Sequence, residues 1–223
     1  MDMDKVGDIL VFLPGQEDIE DLNSLLESKN SLLELDKQKY PKLLSVYQLF
    51  SNLPNSEQMK VFQQIDSSKF RKVILSTNIA ETSLTIKNIK YVIDTGFFKT
   101  RIYDTGKDLD TLVMDKINKN SAIQRTGRAG RESSGKCFRL FTEEEYNKMI
   151  DNPKPEILRT SLVSLILLLK SIGVEDIHSL RFYDKPEKQT INKAIEELKT
   201  LGALDVREEL TDLGKKLSTF LFL

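Results

Sequence analysis

The stretch Asp8-Ile-Leu-Val-Phe-Leu-Pro-Gly-Gln-Glu-Asp-Ile19 decides the fold class of this chain. It opens with a continuous apolar run, which is typical of a strand buried in a parallel sheet, and Pro14-Gly15 closes that run. From Gln16 to Ser28 the apolar residues then recur at helical spacing, with acids in the first turn. A buried strand followed at once by an amphipathic helix is the repeating unit of an α/β fold.

The same alternation continues along the chain. The further predicted elements are strands at Leu43–Leu49, Lys72–Ser76, Ile89–Asp94 and Lys136–Phe141, a helix at Asn55–Ile65 capped by Asn55 or Ser56, and a short helix from Thr142. Strands that alternate with helices predict a doubly wound parallel sheet. From Phe97 to Val113, polar and apolar residues alternate around Asp104-Thr-Gly106, which predicts a β-hairpin protruding from the sheet.

The character of the sequence changes after Asp151-Asn-Pro-Lys-Pro155, where two prolines and an asparagine indicate a domain boundary. Beyond it we predict helices at Glu156–Ser171, Pro186–Leu201 and Thr211–Phe220, and a short strand at Ala203–Val206. This order resembles a winged-helix module that is cut short. We therefore expect two domains, residues 1–151 and residues 152–223.

Composition excludes several classes of protein. The 223 residues are 39% hydrophobic, which supports a real core. The net charge of −1 excludes a strongly basic coat, yet residues 99–139 carry ten Lys/Arg against five acids, whereas residues 1–40 carry four Lys against ten acids. This asymmetry fits one face that binds nucleic acid or phosphate. With one Cys and one His, an internal disulfide and a Cys/His zinc site are excluded.

Targeting signals are not evident in the sequence. No apolar run approaches the length that spans a membrane, so no membrane partner is expected. The start, Met1-Asp-Met-Asp4, is acidic and does not read as a signal peptide. These features, together with the single cysteine, indicate a reducing intracellular compartment.

The run Ser121-Ala-Ile-Gln-Arg-Thr-Gly-Arg-Ala-Gly-Arg131 carries the strongest functional signal. On a helix, Gln124, Arg128 and Arg131 fall on one face, whereas Arg125 points about 100° away. Two glycines in a helix cost about 2 kcal/mol relative to alanine, and close approach to a bulky anion explains that cost. The row suits a triphosphate, with the two arginines neutralising charge as the terminal phosphoryl group leaves. The alternative is an ordinary surface helix with solvated arginines.

A second run, Ser76-Thr-Asn-Ile-Ala-Glu-Thr-Ser-Leu-Thr-Ile86, follows a predicted strand. The carboxyl end of a parallel strand is where α/β sheets bind ligands. Small hydroxyl groups and backbone N–H groups there can hold phosphates without strong charge. The alternative is a threonine-rich turn that only caps the next helix.

Taken together and in order, four runs closely resemble motifs IV, V, Va and VI of the second RecA-like domain of DEAH-box RNA helicases. These runs are Gly15-Gln-Glu-Asp-Ile19, Ser76 to Ile86, Val92-Ile-Asp-Thr-Gly-Phe97, and Gln124 to Arg131. The resemblance extends from about Gly7 to Arg207, and residues 156–219 resemble the family's winged-helix domain. It implies a RecA-like α/β domain with a strand-separating hairpin, followed by a small, mostly helical winged-helix domain.

The resemblance also implies roles at the nucleotide. Gln124, Arg128 and Arg131 match the catalytic residues that contact ATP phosphates, with the two arginines as fingers. Ser83 and Thr85 match positions that face the nucleotide and its attacking water. Phe62 matches the phenylalanine that stacks on adenine, with burial against the sheet as the alternative.

RNA contacts follow from the same resemblance. Thr77 matches a residue that holds an RNA phosphate, and Asn78 lies beside it in the sequence. Gly15 lies in a loop whose backbone grips RNA, and Lys99 lies near the base of the hairpin. The implied partners are single-stranded and duplex RNA, the first RecA-like domain, and a G-patch protein as activator. The expected location is the nucleus or nucleolus, with the cytoplasm left open; splicing and ribosome biogenesis are not separated by these motifs.

Two departures from the family pattern matter. Lys87 stands where the family often has an aspartate that binds the ribose, which puts that contact in doubt. The Gly-x-x-x-x-Gly-Lys-Ser/Thr loop and the Asp-Glu-Ala-His run of the first RecA-like domain are absent. We therefore expect ATP with Mg²⁺ as cofactor, with the metal ligands in the missing domain, and a chain that is inactive alone. The alternatives are a non-catalytic scaffold that binds RNA or protein, and a related DNA or RNA–DNA helicase.

Overall fold

The computed structural model describes residues 7–33, 42–82, 84–104 and 109–221. Its strands are β1 (Asp8–Phe12), β2 (Leu43–Leu49), β3 (Phe70–Ser76), β4 (Ile89–Asp94), β5 (Phe97–Asp104), β6 (Leu109–Lys116) and β7 (Lys136–Arg139). Its helices are α1 (Gln16–Leu33), α2 (Asn55–Lys60), α3 (Ile79–Thr82), α4 (Lys119–Gly127), α5 (Glu143–Lys148), α6 (Val163–Ser171), α7 (Lys188–Thr200) and α8 (Asp212–Phe220), with a 3-10 turn at Glu156–Leu158.

Five strands form a parallel sheet in the order β2-β3-β1-β4-β7, as the alternation of strands and helices predicts. Strand β1 is central, with Ile9 paired with Val73 of β3 on one side and with Tyr91 of β4 on the other. Because the strands are parallel, the segments that follow β1, β3 and β4 all emerge at one edge of the sheet. These segments contain Gly15, Thr77 and Thr95.

The sheet is buried on both faces. Along β1, Leu10 and Phe12 belong to one apolar cluster, whereas Val11 and the following Leu13 belong to another. Successive strand residues point to opposite faces, so the two clusters are the cores on the two sides of the sheet. Continuous apolar runs, rather than alternating ones, are what such a doubly covered strand requires.

Strands β5 and β6 form a separate two-stranded sheet, which confirms the predicted hairpin. Its base is held at the sheet edge, because the Lys99 N–H donates to the carbonyl of Pro14 (3.1 Å) and the Ile117 N–H donates to that of Gly96 (3.0 Å). The predicted turn at Thr105 and Gly106 lies outside the described residues.

The second helix is shorter than predicted. It ends at Lys60 rather than Ile65, and it begins after Pro54, so neither Asn55 nor Ser56 caps it through a side chain. The buried Lys72 ammonium donates to the carbonyls of Val61 (3.0 Å) and Gln63, and it thereby takes the place of the N–H groups that a continuing helix would offer.

The first helix is longer than predicted and reaches Leu33 rather than Ser28. Near its end, the Asn30 side chain donates to the Leu44 carbonyl (2.7 Å) and accepts from the Leu44 N–H (2.9 Å). This contact with β2 holds the last turns in place, and no local sequence pattern could reveal it.

The predicted helix from Glu156 to Ser171 is broken. A 3-10 turn ends at Leu158, and α6 begins only at Val163, whose N–H donates to the Ser161 hydroxyl (3.4 Å). The predicted strand at Ala203–Val206 is reduced to a single bridge between Leu204 and Leu210.

The chain folds into two compact units. One contains residues 1–100 and 114–153, and the other contains residues 101–113 and 154–223. In the second unit, α6 and α7 enclose an apolar core that includes Ile166, Ile191 and Leu198. Thr211 caps α8 there, because its hydroxyl accepts from the Gly214 N–H (3.0 Å). None of the described helices is long and apolar enough to cross a membrane.

Candidate active site

The arginine helix is oriented by a buried ion-pair cluster around Arg125. This side chain is 0% exposed. Its Nε donates to Glu81 Oε2 (3.1 Å) of α3, and one Nη donates to Asp94 Oδ1 (2.8 Å) at the end of β4. The guanidinium also lies over the Phe12 ring, 4.8 Å from its centroid. One side chain therefore joins α4 to the ends of β1 and β4 and to α3.

No role was predicted for Arg125 from the sequence, although the alanines spaced around it indicate that its side of the segment is buried. Ala122 and Ala129 are both buried, and they lie three residues before and four residues after Arg125. This spacing places Ala122 and Arg125 on one face of α4, and Ala129 is buried in the turn that follows the helix. The inward face of α4 is therefore the one carrying Arg125, and Gln124 is exposed on another side.

Arg128 lies just beyond the helix, which ends at Gly127. The prediction that Gln124, Arg128 and Arg131 share one helix is therefore wrong. A tight turn continues α4 instead, with the N–H groups of Arg128 and Gly130 donating to the carbonyls of Arg125 (3.1 Å) and Gly127 (3.3 Å). The three predicted residues are nevertheless brought together, as they line one open depression of about 320 Å³.

The Arg128 side chain is only 7% exposed. One Nη donates to the Leu84 carbonyl (2.6 Å) and the other to the Glu81 carbonyl. These bonds use two of the five N–H groups of a guanidinium. Burial lowers the pKa of Arg128 and the Arg131 cation lowers it further, whereas the Glu81 carboxylate acts in the opposite direction. Arg128 thus ties the end of α4 to the Ser76–Ile86 run.

Arg131 and Gln124 are exposed. One Arg131 Nη donates to the Thr85 hydroxyl (2.9 Å), which holds the guanidinium beside the Ser76–Ile86 run; this is its one hydrogen bond to the described residues, out of five N–H donors. At Gly127, no heavy atom of the described residues lies within 4 Å of the position that a Cβ would take. Packing among those residues does not require this glycine, and the open space belongs to the depression.

A second depression, of about 470 Å³, lies next to the first. It is lined by Phe62, Thr85 and Lys87 among others. Phe62 is 41% exposed there, so it is not buried against the sheet. Thr85 lines this cleft, and its hydroxyl accepts from Arg131, which lines the first depression, so one hydrogen bond links the linings of the two depressions. Ser83, predicted to face the nucleotide, lies outside the described residues.

The predicted RNA contacts lie at the edge where the strands end. Thr77 is half-buried after β3 and donates its N–H to the Leu49 carbonyl (3.2 Å), while Asn78 is exposed. Gly15 follows β1, and a Cβ at this position would meet Lys99 Cδ at 2.8 Å. The structure thus brings Gly15 and Lys99 together, and a larger residue at position 15 would require the end of the Lys99 side chain to move.

Lys99 is not a free cation in this structure. Its Nζ pairs with Glu17 Oε2 at 2.9 Å, with the carboxylate largely exposed. The pairing raises the pKa of Lys99 and lowers the pKa of Glu17. Sequence reasoning missed this partner, since the two residues are far apart in the chain.

Two family models match the chain and define its class. The model described as "Helicase conserved C-terminal domain" matches residues 2–133, and the model described as "Helicase associated domain (HA2), winged-helix" matches residues 194–220.

Among curated proteins, the chain is 49% identical over 201 residues to "Pre-mRNA-splicing factor ATP-dependent RNA helicase DEAH10" of Arabidopsis thaliana. It is 42% identical over 216 residues to "Probable ATP-dependent RNA helicase DHX35" of Homo sapiens. The chain belongs to the DEAH-box RNA helicases and corresponds to their C-terminal helicase region.

The matches cover most of this chain but only a small part of each relative. The chain aligns over 90% and 96% of its own length but spans only 27% and 30% of the two relatives. Among solved structures, it matches the E. coli DExH-box NTPase HrpB with a TM-score of 0.79 and 29% identity, covering 96% of this chain and 25% of that one. This likeness confirms the predicted fold, a RecA-like parallel sheet with a hairpin followed by a winged-helix part.

Proposed function

We propose that this chain is the C-terminal helicase part of an ATP-driven RNA motor, with domains at residues 1–151 and 152–223. The observation that carries the proposal is the junction at Thr85. There, the arginine depression and the cleft holding the exposed Phe62 ring meet through a single hydrogen bond from Arg131. A nucleoside triphosphate needs cations for its phosphates and a flat face for its base. The two depressions offer these side by side.

In this proposal the substrate is ATP, held between this chain and a first RecA-like domain. Arg131 is the principal finger, since its guanidinium is exposed and only one of its donors is engaged in the described contacts. Arg128 contributes positive charge to the lining of the same depression, while its hydrogen bonds hold the Ser76–Ile86 run in place. Gln124 and Thr85 orient the phosphate and the attacking water, together with Ser83. Lys87 faces the same cleft as Phe62, where it replaces the family's ribose-binding carboxylate.

Mg²⁺ is assigned to the first domain. Among the described residues, no group of three or more His, Cys, Asp or Glu side chains is placed to hold a metal ion. Arginine fingers complete a site whose phosphate loop and metal ligands come from elsewhere. We therefore expect the 223-residue chain to fold but not to turn over ATP by itself.

RNA is proposed to run along the edge where β1 and β3 end. Thr77, Asn78 and Gly15 would contact the backbone, so movement along RNA would be largely independent of sequence. Lys99 would exchange its Glu17 partner for a phosphate. A G-patch protein is the proposed activator, and the splicing-factor name of the Arabidopsis relative favours a role in splicing over one in ribosome biogenesis.

One observation favours a second candidate, a helicase-like scaffold without turnover. Both Nη atoms of Arg128 donate to carbonyls of this same unit. An arginine fixed in this way stabilises a fold whether or not a nucleotide is bound. Turnover, rather than binding alone, therefore separates the two candidates.

The test uses the protein in which this chain is joined to its first RecA-like domain. For Arg131→Ala we expect kcat for ATP hydrolysis to fall by on the order of 10³, the effect of losing a finger. Arg207→Ala is the matched control, since it removes an exposed arginine of the second unit and should leave kcat unchanged. ATP hydrolysis at the parent's rate by Arg131→Ala would refute the finger assignment. Absence of hydrolysis in the parent would favour the scaffold.

A further inference from the structure

Phe62 projects from a segment that regular structure does not hold. Helix α2 ends at Lys60, and the next strand begins only at Phe70. The Phe62 N–H donates to the Met59 carbonyl (3.1 Å). The preceding residue, Val61, is buried in the same apolar cluster as Leu10 and Phe12. A partly exposed aromatic ring in such a loop needs an anchor if it is to keep one direction.

Lys72 supplies that anchor from inside the sheet. Its side chain rises from β3 and is almost fully buried. The ammonium donates to the Val61 carbonyl (3.0 Å) and to the Gln63 carbonyl, the two residues on either side of Phe62. An ammonium carries three donors, so two of them are committed to this one loop.

The surroundings of Lys72 keep this arrangement fixed. Its Nζ lies 5.3 Å from the centroid of the Tyr47 ring, on the neighbouring strand β2. Asp8, also buried, supplies the nearby negative charge that offsets the buried ammonium. Asp8, Tyr47 and Lys72 all belong to strands of the sheet. The Lys72 side chain therefore fixes the loop around Phe62 to the sheet.

We propose that Lys72 is a positioning residue for the base platform: by clamping the carbonyls on both sides of Phe62, it presents that ring to the base of the nucleotide. The inference rests on the proposed role of Phe62 and goes beyond it. Lys72 does not need to touch the nucleotide. Its removal should affect only ligands that carry a base.

We predict that a Lys72 substitution changes the Kd for ATP but not the Kd for a ligand that lacks a base. Losing one stack between a base and an aromatic ring weakens binding by roughly 5- to 150-fold. For Lys72→Met, which keeps the length of the apolar stem but has no donors, we expect about a tenfold rise in the Kd for ATP. The Kd for inorganic tripolyphosphate, which has neither base nor ribose, should change by less than about twofold. A general loss of structure would move both constants.

Calorimetry on the protein containing both RecA-like domains measures both constants without requiring turnover. Phe62→Ala should show the same split, and Lys72→Met combined with Phe62→Ala should add nothing to Phe62→Ala alone. Lys69→Met is the matched control, because Lys69 is an exposed lysine just before β3, and it should change neither constant. If Lys72→Met does not fold, Lys72→Gln replaces it, since glutamine keeps one donor group but cannot reach both carbonyls.

The outcomes separate the inference from the function on which it rests. If Phe62→Ala leaves both constants unchanged, the base platform itself is wrong. If Phe62→Ala weakens ATP alone while Lys72→Met changes both constants equally or neither, the platform stands and the positioning role of Lys72 is overturned.

Discussion

Arg125 and Arg131 belong to one short sequence run, yet the structure gives their removal opposite consequences. Arg125 is fully buried between Glu81 and Asp94, and both carboxylates are themselves buried. Asp94 Oδ2 has no hydrogen-bond partner among the described residues, and Oδ1 accepts from Arg125 and from the Gly96 N–H, so Arg125 is the one cation paired with this carboxylate among those residues. Arg125→Met would leave two buried carboxylates beside an uncharged side chain.

The expected cost follows from that geometry. Removing one partner of a buried ion pair destabilises a fold by about 3–5 kcal/mol, because a charge is left uncompensated. At a urea dependence of about 2 kcal/mol per molar, this lowers the unfolding midpoint of the sheet unit by roughly 2 M. Arg131→Met removes an exposed side chain and should change the free energy of unfolding by less than about 0.5 kcal/mol.

The assay can isolate the sheet unit, since Cys137 on β7 is the chain's single cysteine. Pulsed alkylation of Cys137 at increasing urea reports the unfolding of this unit, and circular dichroism reports the whole chain. Equal midpoints for Arg125→Met and Arg131→Met would refute the reasoning. As a further check, Arg125→Met combined with Glu81→Gln and Asp94→Asn should recover much of the loss, because no buried charge remains.

Two further predictions rest on single contacts. Glu17→Gln should strengthen RNA binding a few-fold at low salt, because it releases Lys99 from its 2.9 Å ion pair. Lys99→Ala should reduce the magnitude of the slope of log affinity against log salt concentration by about 0.7–0.9. An unchanged slope would show that Lys99 does not contact RNA. Cys137 should alkylate more slowly in the native chain than in the unfolded chain at pH 8, because burial raises the pKa of its thiol and so lowers the thiolate fraction; equal rates would contradict this.

The parallel sheet could be predicted from sequence because its signal is local. Strands β2 and β4 have the predicted bounds, because each is a short run dominated by Leu, Val, Ile and Tyr. The helix ends were not predictable in the same way. Helix α2 stops where Lys72 captures two carbonyls, and α1 continues to a contact between Asn30 and Leu44. Both determinants come from other elements of the fold.

For the candidate site, the sequence predicted that three residues lie together but not how they are arranged. Gln124, Arg128 and Arg131 do gather around one depression, yet through a tight turn rather than along one helix. The pairing of Lys99 with Glu17 and the clamp of Lys72 on the Phe62 loop join residues that are distant in sequence. Spacing within a motif specifies neighbours along the chain, whereas these contacts depend on how the strands are ordered.

The buried cluster suggests how a nucleotide site and an RNA edge could respond together. Arg125 lies in the last turn of α4, close to the turn that leads to the exposed Arg131. It contacts the Phe12 ring at the end of β1, Asp94 at the end of β4, and Glu81 in the run that begins at Ser76. Those three elements lead directly into the segments proposed to touch RNA. Because packed ionic contacts of this kind have discrete arrangements, a shift of the arginine turn on loss of the terminal phosphate would be transmitted to all three elements at once. In this proposal Arg125 would couple the two sites, while Arg131 would stabilise the charge on the departing phosphoryl group.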